Sequence, residues 1–104
     1  MYHMTDKQFN DAFTAAGGWF IVTQYETIAD WYGNRADLID YIYTLGFDAK
    51  RTGSNTRVSS VLRLVDENRI KEAIIKVRDS KRINKQHPDA FGLANDILKR
   101  RFKD

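Results

Sequence analysis

Thr5-Asp6-Lys7-Gln8-Phe9-Asn10-Asp11-Ala12-Phe13-Thr14-Ala15-Ala16-Gly17-Gly18 is the stretch on which the fold reading turns. It opens in the form of a capping box, with a hydroxyl at the cap and Gln three residues on. Phe9, Ala12, Phe13 and Ala16 then recur at i, i+3, i+4 and i+7, which is one face of a helix. Gly17-Gly18 ends that helix, because glycine accepts the left-handed C′ conformation cheaply.

The same grammar repeats downstream. Thr23-Gln24-Tyr25-Glu26 has box form again and predicts a short helix with Tyr25, Ile28, Ala29 and Tyr32 on one face, ended by Gly33. Trp19-Phe20-Ile21-Val22 before it is read as buried extended chain or a helical lead-in, since no partner strand is evident. Asn34 caps a third helix carrying Leu38, Ile39, Ile42 and Leu45, closed by Gly46. Residues 48–55 are expected to form the one clear internal loop. Val58, Val61, Leu62 and Val65 mark a fourth helix, residues 66–69 a break, and Ile70, Ala73, Ile74 and Val77 a fifth. The alternative is one long helix through 57–80. Ser80–Gln86 is expected to be a basic loop with Ile83 tucked inward. His87-Pro88-Asp89 starts the last helix, with Phe91, Ala94, Ile97, Leu98 and Phe102 on its core face.

These signals predict an all-α protein: a compact bundle of five to six short helices, with residues 1–104 forming a single domain. The 104 residues fit one domain, and 42% hydrophobic with 12% aromatic residues excludes intrinsic disorder. The absence of Cys excludes a disulfide framework, a thiolate metal site and a Cys nucleophile. The longest apolar run, Trp19–Val22, is far short of the ~20 residues that span a bilayer, so no membrane partner is expected. Met1–Asp6 has neither a basic nor an apolar signal region, and the expected location is cytoplasmic.

Charge is unevenly placed. Residues 1–48 carry Lys7 and Arg35 against seven acids, a net of −5, whereas residues 49–104 carry fifteen bases against seven acids, a net of +8. The most informative basic stretch is Lys50-Arg51-Thr52-Gly53-Ser54-Asn55-Thr56-Arg57, which places cations, a glycine and hydroxyls just before a helix. Such a start attracts anions, and arginine can grip phosphate with two N–H groups. Lys50, Arg51, Ser54, Thr56 and Arg57 are therefore the expected phosphate contacts. Arg63, Arg69, Lys71, Lys76, Arg78, Lys81 and Arg82 would supply the surrounding field, with Lys85 and Lys99, Arg100, Arg101 and Lys103 adding to it. With Phe91 and Phe102 both on a core face, no stacking platform is expected there, so backbone contacts to duplex are the expected mode.

A helix-turn-helix is the obvious rival for a nucleic-acid contact. Residues 25–44 resemble its spacing through Ala29, Gly33, Ile39 and Ile42. Its second helix would bring Asp37 and Asp40 against phosphates, which repels. The acidic, aromatic stretch 19–47 instead offers Trp31, Asp37, Asp40, Tyr41 and Tyr43 as a surface for another protein, because Tyr and Trp give large, stiff contact area.

Nothing in the chain points to catalysis. Ser54, Ser59 and Ser60 lack the G-x-S-x-G context, His3 lies near a terminus and His87 precedes a proline. Glu26, Asp30, Asp37 and Asp40 are paired at helical spacing but read as solvated carboxylates, so neither a metal nor another cofactor is expected. The resulting expectation is a non-enzymatic binding protein for nucleic acid, with a protein-interaction module as the alternative.

Overall fold

Thr5 and Gln8 close the capping box in full: Thr5 Oγ1 accepts from Gln8 N at 3.1 Å and Gln8 Oε1 accepts from Thr5 N at 2.9 Å. This detail comes from a computed structural model that describes residues 3–102. Met1, Tyr2, Lys103 and Asp104 lie outside the described residues, so the chain-start reading and the Lys103 expectation extend beyond them. Helix α1 (Asp6–Ala16) buries Phe9, Ala12, Phe13 and Ala16, the four positions its spacing marks. Gly17, at φ +86°, turns the chain while its N–H donates to Phe13 O at 2.9 Å.

Helix α2 (Gly18–Ala29) starts at once, so of the two readings of Trp19–Val22 the helical lead-in holds and extended chain does not. Thr23 is not a cap. Its hydroxyl lies inside the helix and donates to Trp19 O at 2.9 Å and Phe20 O at 3.2 Å. The uninterrupted apolar run is what a central helix needs, because Phe20, Ile21 and Val22 project in different directions and all are buried. Since α2 begins early it also ends early, and Tyr32 falls beyond it, fully exposed rather than on its face.

Asn34 caps α3 (Arg35–Thr44) through Oδ1, which accepts from Asp37 N at 2.8 Å. Leu38, Ile39 and Ile42 are buried as expected, whereas Leu45, past the last turn, is exposed. Helix α4 (Arg51–Asp66) ends in a Schellman motif: Asn68 takes φ +57°, Arg69 N donates to Leu64 O at 2.9 Å, and Asn68 N donates to Val65 O at 3.0 Å. That motif excludes one long helix and lets α5 (Ile70–Asp79) turn back, burying Ile70, Ala73, Ile74 and Val77.

The expected loop at Ser80–Gln86 is a sixth helix, α6 (Lys81–Gln86), capped by Ser80 Oγ, which accepts from Ile83 N at 3.2 Å. Helix α7 (Ala90–Arg101) completes seven helices among the described residues, against five or six expected. The extra one is α6. The protein is all-α with one continuous core: α2 lies between α4, α5 and α7, α1 packs on α4, and α3 packs on α4 from outside. The radius of gyration is 13.2 Å. No helix among the described residues is long and apolar enough to cross a membrane.

Candidate nucleic-acid interface

Lys50–Arg57 is helical from Arg51 onward, not a loop. The reason lies at Asp48. A Cβ on Gly53 would stand 2.9 Å from the Asp48 carboxyl, so glycine lets that carboxylate lie against the first turn. Asp48 accepts from Ser54 Oγ at 3.2 Å and from Arg57 Nε at 3.0 and 3.1 Å. Arg57 Nη1 donates to Ala16 O at 2.5 Å, and its guanidinium carbon lies 5.6 Å from the Phe20 ring centre and 5.8 Å from that of Phe47. Arg57 thus ties α4 to the α1–α2 junction. Ser54 is completely buried, which removes it from any surface phosphate site. Thr56 Oγ1 bonds back to Thr52 O at 3.1 Å. Arg51 pairs with Asp40 at 2.5 Å, and Lys50 stays exposed at the cap.

The same pairing recurs along the basic half. Arg69 reaches Asp6 at 3.1 Å and Glu72 at 2.5 Å, donates to the carbonyls of Met4 and Thr5, and covers the Phe9 ring at 4.3 Å. Lys76 donates to Asn10 Oδ1 at 2.9 Å and stands over Phe13. Arg78 pairs with its neighbour Asp79 at 2.9 Å. Arg100 and Arg101 converge on Glu26, and Arg101 also takes Asp30. Arg63 is exposed on α4 and Lys71 is half-buried on α5. Opposite charge in the two halves therefore largely joins them.

The α2–α7 contact carries a pH signature. Hydrogen bonding from Arg100, aided by Arg101 and opposed by burial, holds the Glu26 carboxyl below its ordinary value of 4.5. A depressed folded-state value contributes stability that is present above 4.5 and lost as pH falls through the folded value. Because Glu26 is partly exposed, the contribution is below about 1 kcal/mol. Thermal melts of wild type and Glu26→Gln should differ at about pH 7, and the gap should close progressively as pH falls below 4.5. A gap that persists at the acid end would refute the assignment. On the neighbouring turn, burial raises the Tyr25 hydroxyl, with Arg101 acting against it.

What remains unneutralised is concentrated on α6. Residues 76–87 hold five cations and one acid. Lys81, Arg82 and Lys85 are exposed and make no side-chain hydrogen bond or ion pair among the described residues. Asn84 fixes this helix to the end of α5: its Nδ2 donates to Val77 O and Arg78 O at 3.1 Å and to Ser80 O at 2.7 Å. A hollow lies on each side of α6. One, of about 420 Å³, is walled by Gly17, Phe47, Arg57, Arg82 and the rings of Trp19 and His87, stacked 4.3 Å apart at 5°. The other, of about 410 Å³, is walled by the paired Arg78 and Asp79 together with Ser80, Lys81, Asn84, Pro88 and Phe91. Phe91 is 52% exposed, not on the core face as expected, because Ala90, Ala94 and Ile97 take the buried side of α7.

Comparison with known protein families, curated proteins and solved structures found no match.

The alternative surface is also in view. Trp31 is half-buried, packs on Tyr41 at 5.6 Å and donates from Nε1 to Asn34 O at 3.1 Å. Tyr32, Tyr41 and Tyr43 are exposed, as are Asp37 and Asp40, although Asp40 carries Arg51. So α3 turns acids and tyrosines outward, and its apolar side packs on α4.

Sequence reasoning thus grouped cations that the fold separates. It placed Lys81 and Arg82 in the surrounding field and did not use Phe91, Trp19 or His87 as site residues. The available signal was the run Lys81-Arg82-Ile83-Asn84-Lys85, which has no acid and follows a Ser cap.

Proposed function

We propose that the protein is a non-enzymatic nucleic-acid-binding module whose main phosphate contacts are Lys81, Arg82 and Lys85 of α6, with Arg78 and Lys50 adding to the field. One observation carries this reading: the three α6 cations are exposed without a carboxylate partner, whereas most arginines of the basic half hold acids of this chain. Lys81 and Lys85 are four apart and Arg82 and Lys85 three apart, so one face of the helix presents all three. Three phosphate contacts would give log K against log salt a slope of about −3.

The test is binding to random duplex and single strands at two salt concentrations. Detectable low-salt affinity that falls with salt is the expected outcome. The triple variant Lys81→Glu, Arg82→Glu, Lys85→Glu should lose roughly ten- to a hundredfold in affinity and flatten the salt slope. Absence of wild-type binding at low salt, or a triple variant that binds like wild type, would sink the proposal.

A second reading, as a protein-interaction module, rests on Tyr41 and Tyr43 being exposed on α3 together with Asp37 and Asp40, with Trp31 packed on Tyr41. A protein partner retained by the α6 triple variant but lost with Tyr41→Ala would favour it.

A further inference from the structure

Helix α6 is a cationic crest with an aromatic wall on either side, and the two features ask for different parts of one ligand. The cations want phosphates. The rings want a flat apolar surface. Phe91 has no polar atom of its own, yet half of it faces solvent in a hollow shared with Arg78, Lys81 and Pro88. Isolated exposed apolar residues are ordinary on a protein surface. This one shares its hollow with the Arg78–Asp79 pair and with Lys81, which has no carboxylate partner among the described residues and which an apolar protein partner would have to desolvate.

Duplex nucleic acid offers that ring little. Its bases are already stacked on one another, and its outer surface is sugar and phosphate. A single strand offers both components at once. As it crosses α6, phosphates meet Lys81, Arg82 and Lys85, and bases drop into the hollows on either side. One base then lies on Phe91, and its neighbour enters the cleft walled by Arg82 and the stacked Trp19–His87 pair.

We infer that the nucleic acid bound at α6 is single-stranded, with an unpaired base stacked on Phe91. This rests on the reading of α6 as the phosphate contact. It replaces the duplex mode expected when Phe91 was assigned to the core.

Anisotropy titration of a labelled thymidine homopolymer and a random duplex of equal length, each at two salt concentrations, tests it. Wild type should prefer the single strand. Phe91→Ala should weaken single-strand binding about tenfold or more, leave duplex binding unchanged and keep the salt slope, because stacking releases no counterions. Phe91→Trp should retain affinity, since any aromatic face can stack. Because Phe91 is exposed, the melting temperature of the Ala variant should match wild type and confirm that it folds. If duplex binds as well as single strand, or Phe91→Ala weakens neither, the stacking inference is overturned. The α6 reading survives that result provided the triple charge reversal still weakens binding and flattens the salt slope. If wild type binds neither probe at low salt, both fall together.

Discussion

Arg57→Met should destabilise the protein by about 2–4 kcal/mol while leaving the nucleic-acid affinity of the folded fraction intact. The side chain of Arg57 is 26% exposed and that of its partner Asp48 15%, so the pair is largely withdrawn from water. Removing the guanidinium strands the carboxylate with Ser54 Oγ alone and leaves the Ala16 carbonyl without its donor. Breaking one partner of a buried pair costs about 3–5 kcal/mol, and residual solvent contact reduces that here. Methionine keeps the aliphatic reach between Phe20 and Phe47, so the loss reports charge and hydrogen bonding rather than a cavity. Urea unfolding measures it as a shift in midpoint at constant slope. Adding Asp48→Asn to Arg57→Met should restore at least about 1 kcal/mol, since the stranded charge is then gone. A loss below about 1 kcal/mol, or a folded variant that no longer binds nucleic acid, would return Arg57 to the list of phosphate contacts.

That the internal partners of Arg57 were not legible in the sequence has a physical origin. Local patterns report local forces, so the capping box at Thr5, the Asn34 cap and the apolar periodicity of α5 were legible directly. The break at Asn68 was legible too, because Asn tolerates the left-handed turn that a Schellman motif needs. Partners of charged side chains are another matter. Arg57 meets a carbonyl 41 residues away and Arg69 an acid 63 residues away, and no window of sequence contains both members.

The same limit explains three stretches whose helices the sequence left open or hid. Trp19–Val22 looked detached from the helix after it because Thr23 imitates a cap, yet burial at the centre of the bundle favours continuous helix. Glycine at position 53 looked like loop composition, but it serves a close approach by Asp48. For α6 the basic composition suggested solvent, and the helix forms because Ser80 caps it and Ile83 anchors it to the core. Of the candidate interface, the excess of positive charge was legible, and its location was not. Phe91 shows why: at i−3 from Ala94 it fits the core face on paper, but small Ala90 lets α7 approach α5 closely on the other side, which turns Phe91 outward.

Gly18→Val should cost about 2–3 kcal/mol and displace α6, the largest effect expected from a single added side chain. A Cβ at this position would lie 2.4 Å from Ile83 Cδ1, 3.1 Å from Val77 Cγ2 and 3.4 Å from Phe13 Cζ. Ile83 can swing its terminal methyl aside. Val77 cannot, because it is fully buried and its β-branched side chain has one favoured rotamer in a helix. Alanine at position 18 should therefore be tolerated better than valine, whose two extra methyls must enter the space of Ile83. Ile83 is the only apolar residue of α6, so pushing it out detaches the helix that carries Lys81, Arg82 and Lys85. The His87 ring on the same segment would leave Trp19, and tryptophan fluorescence should report that separation. The mutation thus links packing to function: stability, the Trp19 signal and single-strand affinity should fall together, although no cation has been altered. A valine variant that keeps the wild-type fluorescence and affinity at full stability would show that α6 is not seated through Gly18, and that its position between the two hollows is not fixed by this contact.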